Sequence, residues 1–126
     1  MDSQKSHVIA IAQEKLSLRP VYLDTETTGV NRYDEIVEIS IIDHDGTELF
    51  SRLVKPSQQI PREAERIHGI SNHMVASAQA WPIVWPEVRA ILYGRTIAAY
   101  NAEFDLRMMR QSHQSSTCPG VKILTG

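Results

Sequence analysis

A β-hairpin signal lies at Asp45-Gly46, between two segments in which apolar and polar residues alternate. Asp-Gly suits the two-residue turn that joins antiparallel strands, so segments 36–43 and 47–54 are predicted to pair with each other. Because strand side chains alternate between faces, the first of these strands has one apolar face. That face carries Val37, Ile39 and Ile41. The chain is therefore predicted to contain an antiparallel strand pair with a buried side.

Two further strands are predicted on either side of this hairpin in the sequence. Residues 21–29 (VYLDTETTG) form a short apolar strand that ends in a glycine turn, and residues 96–100 (TIAAY) form a buried strand. A helix from Trp81 to Gly94 precedes the second of them. Strands joined through such a crossover run parallel. The predicted fold class is α/β: a mixed sheet of three antiparallel strands and one parallel strand, with flanking helices.

The other segments are predicted to form short helices and a tail. They are, in chain order, an N-terminal helix at 6–18 within residues 1–19, helices at 62–67 and 71–77, a helix at 102–111 capped by Asn101, and an edge strand at 121–124. No repeat, low-complexity tract or linker divides the sequence. Residues 1–126 are therefore predicted to form a single domain.

Composition excludes several classes of protein. Thirteen Lys and Arg against fifteen Asp and Glu give a formal charge of −2, whereas proteins that coat nucleic acid carry a basic surplus. One cysteine, Cys118, excludes an internal disulfide and a multi-cysteine zinc site. No apolar run approaches the length of a membrane span, and no signal-peptide pattern is present. These features predict a cytoplasmic protein without a membrane partner.

The first strand carries two acidic residues, Asp24 and Glu26, near its end. Residues two apart in a strand share a face, so the carboxylates are predicted to lie side by side and to raise each other's pKa. A hard divalent cation such as Mg²⁺ or Mn²⁺ would offset that repulsion. A D-x-E tripeptide alone is more often a pair of solvated acids. The apolar strand before it and the Thr27-Thr28-Gly29 turn after it favour a metal site.

A third acid, Asp105, lies in the first turns of the helix that follows the TIAAY segment. If that segment pairs with the first strand, the helix begins close to Asp24 and Glu26. Three carboxylates from two segments could then hold metal ions. The alternative is a surface aspartate that is favoured by the helix dipole.

Three motifs together resemble those of the DnaQ-like (DEDD-type) 3′–5′ exonucleases, the family of the proofreading subunit of bacterial replicative DNA polymerase. LDTETTG at 23–29 resembles the first motif, YNAEFDLRMM at 100–109 the second, and HGIS at 68–71 the family's His-Gly-Ile turn. The resemblance spans residues 20–112. It implies a ribonuclease H-like fold.

The resemblance also implies site residues and chemistry. The metal-binding acids would be Asp24, Glu26 and Asp105, and the residues around the terminal nucleotide would be Thr27, Thr28, Glu63, His68, Asn101 and Phe104. Family members hydrolyse nucleic acid, here with DNA favoured, through two Mg²⁺ or Mn²⁺ ions and release nucleoside 5′-monophosphates from the 3′ end. The predicted partners are the 3′ end of single-stranded DNA or RNA, and a polymerase subunit or a second copy of the chain. Two of these residues have an alternative interpretation: His68 as a residue that only ends a turn, and Phe104 as a core residue.

The family's third motif, a histidine followed by a fourth acid, has no match in the sequence. The 21 residues after Asp105 contain no Asp and no Glu, and His113 lies on the helix of Asp105 itself, in the wrong place for the base. The domain is therefore predicted to be C-terminally truncated, and inactive or weak by itself. Leu106 and Met109 are predicted to be exposed or covered by a neighbouring chain. The alternative function is a non-catalytic module that binds a nucleic-acid end or a partner.

Overall fold

A computed structural model describes residues 19–99 and 101–115, with side chains as far as residue 113. The predicted N-terminal helix at 6–18 and edge strand at 121–124 lie outside the described residues. The elements are β1 (Val21–Thr27), β2 (Ile36–Ile42), β3 (Glu48–Leu53), α1 (Arg62–His68), α2 (Asn72–Val75), α3 (Trp81–Leu92), β4 (Ile97–Ala98) and α4 (Ala102–Ser115). None of the described helices is long and apolar enough to cross a membrane.

The four strands form one sheet in the order β3-β2-β1-β4. β1 pairs antiparallel with β2 and parallel with β4, and β2 pairs antiparallel with β3. The predicted mixed sheet is therefore confirmed. β1 lies between two neighbours, which places the carboxylates that it carries inside the sheet rather than at an edge.

The turn between β2 and β3 is longer than predicted. The Asp43 N–H donates to Thr47 O at 2.7 Å, and the Gly46 N–H donates to Asp43 O at 2.9 Å. This pattern leaves three residues in the loop, and Gly46 takes a φ of 91°. A tight turn followed by a left-handed glycine is the usual three-residue hairpin, so the hairpin is confirmed but its two-residue turn is wrong.

Three other elements differ in length from their predictions, and the first is the helix predicted at 71–77, which covers only Asn72–Val75. The segment predicted at 96–100 is a strand only over Ile97–Ala98, which pair with the first two residues of β1. The helix predicted at 102–111 continues to Ser115. Its last turns are polar in sequence, but Gln111, Ser112 and His113 are buried. Contacts made by the fold, and not apolar periodicity, therefore extend this helix.

The main core lies between one face of the sheet and helices α3 and α4. Its members are Val21, Leu23, Ile36, Ile39, Ile41, Phe50, Val54, Trp81, Val84, Trp85, Val88, Leu92, Ala99, Met108 and Met109. A smaller cluster joins Val37 to α1, α2 and the segments around them. The β1–β2 register shifts where Glu26 faces Glu38 and Thr27 faces Ile36. This irregularity gives β2 an extra residue and accounts for the separation of Val37 from Ile39 and Ile41.

The predicted exposure of the helix after Asp105 is wrong for Met109. Met109 is 0% exposed and belongs to the main core, and Leu106 is partly buried against that core. The covering surface comes from the chain itself, because α4 packs against α3 and the sheet.

Candidate metal and nucleotide site

Asp24 and Glu26 lie on one face of β1, and both are half-buried. Glu38 on β2 stands directly opposite Glu26 in the antiparallel register. Directly opposed residues of paired strands lie close to each other. The sheet thus brings three carboxylates together where the sequence analysis predicted two from β1.

Asp105 reaches β1 from α4. The Thr25 hydroxyl donates a hydrogen bond of 2.5 Å to Asp105 Oδ1, and both residues are buried. Thr25 lies between Asp24 and Glu26 in β1, so this bond fixes the third predicted acid at the level of the other two. Asp105 therefore lies close enough to Asp24 and Glu26 for their charges to act on it, although its bond to Thr25 is on the other face of β1.

The electrostatics of the cluster reflect this crowding. Burial, followed by the neighbouring charges of Asp24 and Glu38, raises the pKa of Glu26 to about 7. Burial also raises the pKa of Asp105 to about 7, against the Thr25 hydrogen bond, and Asp24 and Glu26 add to the rise. The pKa of Glu38 is raised as well, first by burial and then by Asp24. Carboxylates that raise each other's pKa in this way are stabilised when a proton or a cation binds to them.

The donor set suits a hard divalent cation, since Mg²⁺ and Mn²⁺ prefer carboxylate oxygens. Within the described residues, however, no three acidic, histidine or cysteine side chains stand close enough to hold one ion as they are placed. Asp24, Glu26 and Asp105 would therefore have to rotate toward the ion. A bound cation would favour that rotation, because it would neutralise the repulsion between the carboxylates.

The Thr27-Thr28-Gly29 turn after β1 is held from within. The Thr28 hydroxyl donates to Asp34 Oδ1 at 2.7 Å, and the Thr28 N–H donates to Glu35 O at 2.9 Å. A Cβ on Gly29 would lie 2.5 Å from Asp34 Oδ2, so a larger residue there would displace the Asp34 carboxylate from its bond to Thr28. Thr28 is 2% exposed. Its polar groups therefore shape the turn and leave Thr27 as the more exposed of the two predicted threonines.

The loop that follows this turn is tied to α4. The Gln111 amide donates to Asn31 O at 3.0 Å and to Asp34 O at 2.8 Å. The Ser112 hydroxyl accepts from the Ile36 N–H at 3.0 Å. These bonds fix the helix that carries Asp105 against the loop that supports the turn.

His68 joins the His-Gly-Ile turn to the end of β1. Its Nδ1 accepts from the Ile70 N–H at 3.0 Å, so Nε2 carries the proton and donates to Thr27 O at 3.0 Å. The imidazole therefore lies at the end of β1, close to Glu38. Glu63 lies on the exposed surface of α1, about one and a half turns before His68.

The two remaining predicted residues begin α4. Asn101 Oδ1 accepts from the Phe104 N–H at 3.2 Å, which confirms Asn101 as the helix cap. Phe104 is half-buried, packs against the main core and faces Arg107, whose guanidinium carbon lies 5.5 Å from the ring centroid. His113 is buried edge-on against Trp81 and Trp85, which is no position for a base.

Two members of the site were missed in the sequence. Thr25 was passed over because it lies on the core face of β1, opposite to Asp24 and Glu26. Glu38 carries a signal, an acid within an apolar strand, but its partner depends on the β1–β2 register. No short turn motif joins these strands, so the sequence does not indicate which residues of β1 and β2 pair with each other.

The chain is similar to known exonucleases. The model of the family described as Exonuclease matches residues 21–116. The uncharacterized exonuclease CP81 of Escherichia phage 186 is 40% identical over 92 residues, which are 73% of this chain and 47% of the phage protein. A DNA polymerase III PolC-type of Thermotoga maritima is 37% identical over 71% of this chain and 7% of its own length.

Solved structures agree with these sequence relatives. Exonuclease X in complex with 5′ overhanging duplex DNA has a TM-score of 0.58 at 37% identity, over 70% of this chain and 52% of that one. E. coli Exonuclease I with an oligonucleotide has a TM-score of 0.62 at 15% identity, over 75% and 23%, and shows the fold alone. The chain spans about half the length of the phage relative. The ribonuclease H-like fold is thus confirmed, and the chain belongs to the Exonuclease family.

Proposed function

We propose that this chain supplies the catalytic face of a 3′–5′ exonuclease, which releases nucleoside 5′-monophosphates from the 3′ end of single-stranded nucleic acid, with DNA as the favoured substrate. The observation that carries the proposal is the contact of Asp105 with β1, the strand that bears Asp24 and Glu26, through the Thr25–Asp105 hydrogen bond. The match to the family model supports the proposal, because it covers residues 21–116 and so includes all three acids.

Exonucleases of this family generally use divalent metal ions. In the proposal, two Mg²⁺ or Mn²⁺ ions are held by Asp24, Glu26 and Asp105, and they supply charge stabilisation for the transferring phosphate and an activated water. The chain's own residues hold the terminal nucleotide. Thr27 and His68, at the end of β1, are proposed to contact that nucleotide, with Thr28 supporting the turn. Glu63, Asn101 and Phe104 are the other proposed contacts.

The third motif of the family has no match in residues 106–126, so we propose that this chain alone hydrolyses slowly. A missing base by itself costs roughly 10²–10⁴-fold in rate. A polymerase subunit or a second copy of the chain is the proposed partner, and the cytoplasm the proposed location.

The test uses the 126-residue chain, Mn²⁺ and single-stranded DNA labelled at its 5′ end. The expected product is a slow ladder shortened one nucleotide at a time from the 3′ end, together with Mn²⁺-dependent binding of thymidine 5′-monophosphate. Asp24→Ala should abolish both, while Asp43→Ala, at the other end of β1, should leave both unchanged. Internal fragments, or release of the 5′ label as a mononucleotide, would contradict the proposal.

A non-catalytic module that binds nucleic-acid ends is the second candidate. The observation in its favour is that no three described ligands stand within reach of one ion as placed. Mn²⁺-dependent nucleotide binding without any shortening of the DNA would favour this candidate.

A further inference from the structure

A strip of arginine and aromatic side chains lies along the loop after β1 and the first half of α4. We call it the arginine–aromatic strip, and its members are Arg32, Tyr33, Phe104 and Arg107. The Arg32 guanidinium carbon lies 4.8 Å from the centroid of the Tyr33 ring, and the Arg107 guanidinium carbon lies 5.5 Å from that of Phe104. Tyr33 is 69% exposed, which leaves ring surface open to a further planar group.

The two halves of the strip are joined by hydrogen bonds. Arg107 Nη2 donates to Val30 O at 3.0 Å, and Gln111 on the same helix donates to Asn31 O and Asp34 O. The loop and the helix therefore present one surface. Arg32 and Tyr33 are held in that surface by their place between Asn31 and Asp34.

The strip is connected through the chain to the carboxylate cluster at both of its ends. Phe104 immediately precedes Asp105, which bonds to Thr25 in β1. At its other end, the loop begins at Gly29 and returns through Asp34, which bonds to Thr28. If the 3′ end of a polynucleotide lies at the carboxylates, the arginine–aromatic strip is the surface next to the preceding nucleotides.

The charge of the strip is available to a ligand. Arg52 pairs with Glu87 and Arg95 pairs with Asp43, whereas neither Arg32 nor Arg107 forms an ion pair with any described carboxylate. Because the whole chain has a formal charge of −2, attraction of a polyanion has to be local.

We propose that the arginine–aromatic strip binds the nucleotides just upstream of the 3′-terminal one in a single-stranded polynucleotide. Phosphates attract the guanidinium groups, and bases stack on aromatic rings and on guanidinium planes. This surface tolerates any base sequence, since every base has a stacking face. The inference rests on the proposed function for the position of the 3′ end.

The experiment measures affinity against length. Wild-type chain with Mn²⁺ is titrated with thymidine 5′-monophosphate and with thymidine oligomers of increasing length, linked by phosphorothioates that resist hydrolysis. Affinity is expected to rise with length. The double variant Arg32→Gln/Tyr33→Ala should bind the mononucleotide as wild type does, and should lose about tenfold in affinity for the longest oligomer.

The matched control is Arg89→Gln/Tyr93→Ala, which removes the same residue types at the far end of α3. Tyr93 is 68% exposed, and Arg95 nearby bonds to Arg19 O at the start of β1, away from the carboxylates. This control should bind all lengths as wild type does. An equal loss in the control, or an equal loss for mononucleotide and oligomer in the strip variant, would overturn the inference.

Salt and sugar provide further readouts. Arg32→Gln alone should lower the slope of log affinity against log salt by about 0.7, the share of one phosphate contact on a single strand. An unchanged slope would count against the strip.

The sugar is tested with oligomers of deoxythymidine and of uridine. An increase in affinity with length that depends on the strip, in either kind of oligomer, supports the inference, and no such increase in either overturns it. If the mononucleotide fails to bind while oligomers still depend on the strip, the strip stands and the proposed function falls.

Discussion

Acidic side chains lie near both ends of β1, and their pKa values are shifted in opposite directions. Near the start of the strand, Asp43 accepts hydrogen bonds from Arg95 at 2.6 Å and from His44 at 2.9 Å, and these bonds hold its pKa well below the usual range. Toward the end of the strand, burial and neighbouring acids raise the pKa values of Glu26 and Asp105 to about 7. Among the described residues, no lysine or arginine pairs with either of these two.

This difference separates a structural acid from a functional one. An acid that is neutralised by arginine stabilises the fold at neutral pH, whereas a buried cluster of like charges destabilises it until a proton or a cation binds. The same sheet can accommodate both because they lie a strand's length apart. The comparison predicts distinct responses of the two ends to metal ions, to pH and to substitution.

The largest expected effect concerns metal affinity. Asp105→Asn removes one proposed ligand charge while keeping an oxygen for Thr25. It should weaken Mn²⁺ binding by about 100-fold or more, because the loss of a ligand should cost at least as much as the loss of a residue that supports a ligand, which costs up to about 100-fold. Titration of Mn²⁺ followed by electron paramagnetic resonance measures the effect. Asp43→Asn should bind Mn²⁺ as wild type does, and equal weakening in both variants would erase the distinction between the ends.

The next effect is on stability without metal. The folded-state pKa of Asp105, about 7, exceeds its ordinary 3.8, so folding takes up a proton between these values. The free energy of unfolding should therefore fall as pH rises from about 4 to about 7. Asp105→Asn should reduce that fall and raise the free energy of unfolding at pH 8 by about 2 kcal/mol. This value is smaller than the full pKa shift would give, because solvent screens part of the charge.

Urea denaturation in EDTA at pH 5 and pH 8 checks this expectation. Addition of Mn²⁺ at pH 8 should stabilise the wild type more than Asp105→Asn, because a cation replaces the missing proton. A variant that is less stable than wild type at pH 8 would show that the Asp105 charge is compensated in the folded state.

A smaller loss is expected where α4 meets the loop that supports the turn. Gln111→Leu leaves the carbonyls of Asn31 and Asp34 without their donor and should lower the free energy of unfolding by about 1.5 kcal/mol. Because α4 also carries Asp105, Mn²⁺ affinity should fall by about tenfold. Gln79→Leu is the matched control, since among the described residues the Gln79 side chain makes only an exposed contact of 3.4 Å to Arg52. Lost stability with unchanged Mn²⁺ affinity would separate the loop from the site.

Local chemistry in the sequence was sufficient for the strands, the hairpin and the first two acids. Alternation predicted β2 and β3, and the crossover rule predicted the parallel strand. Strand periodicity also put Asp24 and Glu26 on one face. Each of these depends on neighbours in the chain or on a general rule of handedness.

What the sequence could not provide depends on contacts between distant segments. The opposition of Glu38 and Glu26 is set by the β1–β2 register and its irregularity, and the Thr25–Asp105 bond joins residues 80 apart. The burial of Met109 follows from the packing of α4 on α3 and the sheet. The polar end of α4 is helical because the Gln111 amide donates to Asp34 O and the Ser112 hydroxyl accepts from the Ile36 N–H.

The smallest expected effect is at the neutralised end. Arg95→Met keeps the aliphatic stem but removes the first of the hydrogen bonds that lower the pKa of Asp43. In the variant, the pKa of Asp43 should therefore rise toward 3.8, as carboxyl carbon NMR against pH can measure. A depressed pKa stabilises the folded state above about pH 4, and that contribution is lost as pH falls through the folded value. The two proteins should thus differ in stability at pH 7 and converge in acid, the reverse of the trend at Asp105. An unchanged pKa would assign the effect to His44 and leave Arg95 with only its bond to Arg19 O.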